Sequence, residues 1–362
     1  MNILSVNNFK FTPIRNNENN SQVVSFPKFG LTMAKPLSKD TVSFGQTAVA
    51  QTKKVCGDLK GACSAVSARK IIQRHKDAHQ KNIELFLNKF GAIVSTKDGE
   101  SLITLKERLK GIFSLQLKTA SLGLGNLPNN EILKIISDVS GICFVLETPD
   151  SYNSFVKIFS DMIKHGEINP IEAEYHRLPP SYKRNKLDKS YDTLNPAISQ
   201  RLKNTIYKYK NPTYQLWKEV DSRSGYSGLH ITIANSDGTK TEIQIMTRPM
   251  AELKHYENLY YKFRNGKPLD PKYQMLEPML MPLKPKDPEN LTDDEKFIQK
   301  ALTKYTQEAY IYQFECPYGV ERPFLKVSEA KNLSAKEKEL LEPFDFNKIK
   351  LLVDAYDNYA KA

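Results

Sequence analysis

The chain reads as a mixed α/β (α+β) protein: a sheet flanked by helices, followed by a helical C-terminal extension. Three observations predict this. Residues 229–233 and 243–245 alternate apolar and polar side chains with a period of two, the mark of paired strands with one buried face. Residues 66 to about 89, and again 151–165, place apolar side chains at helical spacing. Beyond a Pro-rich stretch that ends near Asp287, helical patterns return near 293–311, 334–342 and 346–360.

The hairpin is the element around which the rest is arranged. Leu229, Ile231 and Ile233 form its first apolar run, Ile243 and Ile245 its second, with Ser236-Asp237-Gly238 between them. A loop ending in glycine is a common hairpin closure, because glycine takes the left-handed position without cost. Pairing about Asp237 sets Ile231 opposite Ile243, His230 opposite Gln244 and Thr232 opposite Glu242. One face is therefore core. The other gathers a histidine, a glutamine and a carboxylate, with Tyr226, Gly225 and Gly228 at its lip. The plain reading of that second face is a half-exposed sheet with its polar side outward.

The chain has 362 residues, enough for one large domain or two smaller ones. Its net charge of +12 suits anionic partners such as nucleotides or RNA, and is also common among basic proteins at large. Four cysteines, Cys56, Cys63, Cys143 and Cys316, show neither a zinc-ligand spacing nor a disulfide ladder. Neither a membrane span nor a secretory signal is evident, so a cytoplasmic, reducing setting is the expectation.

In chain order, residues 1–55 are Asn-, Ser- and Thr-rich and read as a disordered arm with two short apolar segments, Val24-Ser25-Phe26 and Val42-Ser43-Phe44. The helix from Val66 buries Ile71, Ile72, Ile83, Leu85, Phe86 and Phe90. His75 and His79 lie one turn apart on it, and with no acidic or cysteine partner in the pattern they read as a solvated face. From Leu102 a strand alternates to place Arg108 and Lys110 on one face, and a helix follows with Ser114 and Lys118 on one side. A Gly-rich loop at Gly123 and Gly125 leads to a helix capped by Asn129. Asp138 then precedes a buried strand, Ile142 to Leu146, and Ile168 to Tyr175 reads as another strand. Residues 177–220 interrupt the pattern as an insert in which Lys and Arg alternate with Tyr, a composition that suits RNA or phosphate. After the hairpin, Thr247 caps a helix that buries Met250, Leu253, Tyr256 and Tyr260, with Pro249 in its first turn.

Four motifs now stand in order: Arg108-x-Lys110-x-x-x-Ser114-x-x-x-Lys118, Asp138-x-x-Gly141, Gly225-Tyr226-x-x-x-His230, and Glu242-Ile243-Gln244-Ile245-x-Thr247. A helix ending Tyr260-Tyr261-Lys262 follows them. The set resembles the synthetase domain of the RelA/SpoT family, the makers of ppGpp and pppGpp, over roughly residues 60–266. The resemblance implies a nucleotidyltransferase-like fold and a Mg²⁺-dependent pyrophosphokinase, which moves the β,γ-pyrophosphate of ATP to the 3′-hydroxyl of GDP or GTP. It implies that Asp138 and Glu242 hold the metal, and that Glu242 also orients or deprotonates the attacking hydroxyl. It assigns Arg108, Lys110, Ser114 and Lys118 to ATP. It assigns Tyr226 to the acceptor base by stacking, with His230 and Gln244 also contacting the acceptor.

The chain departs from that family where arginine is usual, having Cys143 and Met246 instead. His255 and Glu257 stand out of step with the family's Glu-His pair. Arg248 or a cation of the insert is the expected replacement for the missing arginines. No His-Asp dipeptide of the kind found in the family's hydrolase domain occurs, so a small synthetase-only form is expected. Two other readings stay open: a toxin that pyrophosphorylates the 3′ end of tRNA, and an inactive nucleotide-binding regulator. The oligomeric state is left open by the sequence.

Overall fold

A computed structural model describes residues 23–26, 31–34, 61–177, 196–209, 216–221, 225–264, 269, 271–284, 290–315 and 322–361. Residues 58–355 form one compact unit. Outside it, β1 (Val23–Phe26) pairs antiparallel with β2 (Leu31–Ala34), so Val24 to Phe26 form a strand within the arm expected to be disordered. Val42 to Phe44 lie outside the described residues.

The main unit starts with α1 (Ala65–Phe90). Ser64 caps it, its Oγ accepting from the Ser67 N–H at 3.0 Å, and Gly91 ends it at φ 54°. Then come β3 (Val94–Ser95), β4 (Ile103–Leu109), α2 (Ile112–Ser121), α3 (Asn129–Ile135), β5 (Ser140–Leu146), α4 (Pro149–Lys164) and β6 (Pro170–Arg177). Next are α5 (Pro196–Tyr209), β7 (Trp217–Asp221), β8 (Gly228–Ala234), β9 (Lys240–Thr247) and α6 (Arg248–Arg264). The chain closes with α7 (Asp293–Phe314), α8 (Ala335–Leu341) and α9 (Phe346–Lys361). The seven strands β3 to β9 form one mixed sheet in the order β3-β4-β5-β9-β8-β6-β7, with β5 and β9 parallel at its centre.

The hairpin has the expected register, with Ile231 opposite Ile243, His230 opposite Gln244 and Thr232 opposite Glu242. Gly238 closes its turn at φ 80°. Ile231, Ile243, Ile142, Phe144 and Ile245 carry the buried face into one apolar cluster with Phe86, Phe90, Phe155 and Phe159 from α1 and α4. The opposite face is only partly open. Met246 belongs to a second cluster with Met250 and Leu253 of α6, Tyr305 and Tyr310 of α7, and Phe346 of α9, so residues on both sides of 266 share one core.

Several local expectations are corrected. Pro128, not Asn129, is the residue at the N-cap of α3, and no side chain caps that helix. Thr247 precedes α6, but its buried hydroxyl finds no hydrogen-bond partner. His75 and His79 are 0% and 4% exposed rather than solvated. His79 lies between the Ser140 hydroxyl, 2.8 Å from Nδ1, and Glu107, 3.1 Å from Nε2, and burial lowers its pKa. The stretch 177–220 also contributes to the fold. Leu202 and Ile206 of α5 are fully buried, and β7 is the edge strand beside β6. Its residues 178–195 and 210–215, which hold much of the Lys-Tyr pattern, lie outside the described residues.

The C-terminal helices are locally well specified. Ser334 and Glu337 form a capping box on α8, with Glu337 Oε2 accepting from the Ser334 N–H at 2.7 Å and Oε1 accepting from Lys304 Nζ at 2.7 Å. The hydrogen bonds from Lys304 and from the Ser334 N–H hold the Glu337 carboxyl at about 2, against an ordinary 4.5. A depressed carboxyl stabilises the fold above its unfolded pKa and stops doing so as pH falls through the folded one. Glu337→Gln is therefore expected to cost about 1–2 kcal/mol at neutral pH and less as pH drops from about 4.5 towards 2. Urea unfolding of both proteins across that range checks it.

Candidate active site

Register decides which side chains share the polar face. Arg108 on β4 lies opposite Gly141 on β5, Gly141 beside Glu242 on β9, and Glu242 opposite Thr232 on β8. One step along, Lys106, Cys143, Gln244, His230 and Glu174 form a second row. Gly141 leaves a gap on this face: the Arg108 Nε lies 3.7 Å from where a Cβ on Gly141 would be. Arg108 is exposed, and makes no ion pair among the described residues.

The cations expected to meet ATP gather around Asp138. Lys110, just past the end of β4, donates to Asp138 Oδ2 at 2.7 Å, and Lys118 of α2 lies 3.6 Å from the same oxygen. Burial opposes the charge on Asp138, but Lys110, Lys118 and Arg108 outweigh it, and the carboxyl sits below its usual range. Burial in turn lowers the pKa of Lys110, with Asp138 pulling the other way. Ser114, one turn from Lys118 on α2, is exposed.

Asp138 Oδ1 is buried and has no hydrogen-bond partner. A buried carboxylate oxygen without a donor is costly, and a hard cation is one group that satisfies it. Glu242, on the neighbouring strand, keeps Oε2 on Gln244 Nε2 at 2.7 Å, while His230 Nδ1 lies 3.7 Å from Oε1, which accepts no hydrogen bond among the described residues. Two carboxylates with spare oxygens suit Mg²⁺, which takes few protein ligands and fills its shell with phosphate oxygens and water. No group of three or more metal-ligating side chains occurs among the described residues.

The acceptor side differs from expectation. Tyr226 was expected to offer its ring to a purine, yet it is only 8% exposed. Tyr310 of α7 packs edge-on against it at 6.0 Å, the rings of His230 and His176 lie at 5.7 and 5.6 Å, and Lys254 Nζ sits 4.5 Å from its centroid. The two glycines at the lip serve this packing. A Cβ on Gly228 would meet the Tyr226 hydroxyl at 2.3 Å, and one on Gly225 would meet the Gln307 carbonyl oxygen of α7 at 2.7 Å. Gly225 also has φ 83°. Gly225→Ala is thus expected to destabilise the protein by roughly 1–3 kcal/mol, read by chemical unfolding.

His230 and Gln244 do reach Glu242, and they are joined by a residue that the motifs did not mark. Lys254 of α6 donates to Gln244 Oε1 at 3.0 Å and to the Tyr226 hydroxyl at 3.4 Å. An ammonium only donates, so that hydroxyl accepts from Lys254 and gives its own proton to His230 Nε2, 2.9 Å away. This leaves the His230 proton on Nδ1, facing Glu242. Burial, Lys254 and His176 push the His230 pKa well below its usual value, which keeps the ring neutral. The one available sequence signal for Lys254 was its place four residues after the buried Met250 and directly after Leu253.

Arg248, expected to replace a missing arginine, is committed elsewhere. Its Nε donates to Glu147 at 3.0 Å, its Nη1 to Asp98 at 2.9 Å and its Nη2 to Thr104 at 3.0 Å. His255 contacts the Tyr273 hydroxyl and Glu257 pairs with Arg264, so both lie off the polar rows.

The chain is similar in structure to small alarmone synthetases. Small alarmone synthetase 1 from Bacillus subtilis matches at 16% identity over 58% of this chain and 85% of its own, with a TM-score of 0.31. Small alarmone synthetase 2 from the same organism matches at 16% identity over 59% and 86%, with a TM-score of 0.30. A GTP pyrophosphokinase family protein from Streptococcus pneumoniae matches at 16% identity over 74% and 98%, with a TM-score of 0.27. The first of these synthetases has been solved with its product pppGpp and with AMPCPP. No family model matches the sequence.

Proposed function

We propose that the chain is an ATP-dependent pyrophosphokinase that transfers the β,γ-pyrophosphate of ATP to the 3′-hydroxyl of GDP or GTP. The observation that best supports this is the grouping of Lys110, Lys118 and Arg108 about Asp138, which directly precedes β5, the strand beside that of Glu242. Transfer between two anionic nucleotides needs the phosphate charge neutralised and the hydroxyl aligned, with little covalent work for the protein. Arg108, Lys110 and Lys118 would neutralise the triphosphate, with Ser114 donating at the exposed edge of α2. Mg²⁺, which Asp138 and Glu242 would hold, would supply further neutralisation of the phosphate charge.

Glu242 would accept the proton of the 3′-hydroxyl as its oxygen bonds to the β-phosphorus. The bond from the β-phosphorus to the bridging α,β-oxygen breaks, and AMP leaves with that electron pair. Gln244 holds one Glu242 oxygen in place for this role, and His230 Nδ1 faces the other at 3.7 Å. Tyr226 has no part in holding a base in the arrangement described, so the acceptor purine would rest on another surface.

That covered ring favours a second reading, nucleotide binding without transfer. Incubation with γ-labelled ATP and GDP, GTP or deacylated tRNA separates the readings. Label on the guanosine nucleotides is the expected result. Label on tRNA alone would replace the acceptor, and nucleotide binding without label on any acceptor would favour the second reading. Among the described residues no helix is long and apolar enough to cross a membrane.

A further inference from the structure

Lys254 is the donor from which the hydrogen bonds on the polar face run. Lys254 donates to Gln244, Gln244 to Glu242, and Lys254 through Tyr226 to His230, which turns Nδ1 back towards Glu242. An ammonium carries three hydrogens, and these contacts use two of them. Among the described residues no carboxylate lies within ion-pair distance of Lys254, although its side chain is half-buried between α6 and the sheet. Its nearest oxygens belong to an amide and a phenol. Burial lowers its pKa, and Cys143, Glu242 and Glu257, which act the other way, do not cancel that effect. A covered cation with a spare donor and no counter-ion is a site for an anion.

We propose that Lys254 binds a phosphate group of the nucleotide at this site, supplying positive charge that Cys143 and Met246 do not. The proposal rests on reading the polar face as nucleotide-binding. Cys143 shares the cross-sheet row of Gln244, which holds Lys254, and Met246 is two residues further along β9, so the ammonium stands among these positions. Arg248 cannot do this work, because Glu147 and Asp98 hold its guanidinium. The ligand class is a phosphate-bearing anion, and one that also carries a nucleoside gains the neighbouring polar groups.

The test is calorimetric binding of inorganic pyrophosphate, and of GDP against guanosine, to the full chain and to Lys254→Met and Lys254→Arg. Lys254→Met is expected to weaken pyrophosphate and GDP by about tenfold or more while leaving guanosine unchanged, and Lys254→Arg to stay within about threefold. Without ligand, Lys254→Met is expected to melt within a few degrees of the parent protein, because removing an ammonium that has no counter-ion offsets the loss of its hydrogen bonds to Gln244 and Tyr226. A merely structural lysine would instead lower the melting point and leave the preference for phosphate intact. If the methionine variant does not fold, Lys254→Gln, which keeps a donor but no charge, replaces it. Unchanged pyrophosphate affinity in the uncharged variant overturns the proposal. Binding is scored apart from transfer, so an inactive protein whose pyrophosphate affinity depends on Lys254 would refute the pyrophosphokinase reading and leave this one standing.

Discussion

Glu242→Gln is expected to lower pyrophosphate transfer by roughly a hundred- to ten-thousand-fold while changing stability by less than about 1 kcal/mol. The two effects separate because the substitution preserves shape but not charge. A glutamine at 242 can still accept from Gln244 Nε2 through its carbonyl oxygen, and Thr232 and Gly141 beside it are unaffected. What is lost is a group able to take a proton and to hold a divalent cation. Initial rates with labelled ATP, with urea unfolding in parallel, check both halves. Turnover retained in the variant would remove Glu242 from the reaction.

Phe144→Ala carries the largest expected stability loss, about 3–5 kcal/mol. Phe144 is fully buried on β5, with its ring 5.3 Å from Phe86, 5.2 Å from Phe90 and 5.0 Å from Phe155. These neighbours belong to α1 and α4, which cannot both move in to fill the space. The same strand begins two residues after Asp138 and carries Gly141 and Cys143 on its other face, so loosening it also loosens the cation cluster. Phe144→Leu, which keeps more of the volume, should cost less than half as much. A loss under about 1 kcal/mol for the alanine variant would mean that this cluster does not hold the sheet to its helices.

The parts of the molecule readable in advance are those where one local rule acts alone. The β8–β9 register followed from apolar alternation and Gly238, and with it the pairing of His230 with Gln244 and Thr232 with Glu242. The turn from Arg108 through Lys118 followed from a change of period. What could not be read depended on contacts across the fold. Lys254 sits on a helix where an isolated lysine ordinarily faces water, and its partners lie on a strand and a loop. His75 and His79 carried the same polar look, yet both are buried, His79 between Ser140 of β5 and Glu107 of β4 and His75 against the Ile71 carbonyl of its own helix. The edge strand β7 was hidden in a run of charged residues, because an edge needs little apolar surface; Lys218 on it pairs with Glu172 of β6. The burial of Tyr226 is hidden from the sequence for a related reason. Its glycine neighbours suggested an open lip, whereas α7, eighty positions later in the chain, closes over it.

The central claim is that Asp138 and Glu242 jointly hold one divalent cation beside the lysines that meet the triphosphate. Titration of the full chain with Mn²⁺, followed by electron paramagnetic resonance in the presence of a non-hydrolysable ATP analogue, tests it without relying on turnover. The account predicts one tightly held ion per chain, weakened by about tenfold or more in Asp138→Asn and in Glu242→Gln alike. Manganese bound as tightly by both variants as by the parent protein would contradict it.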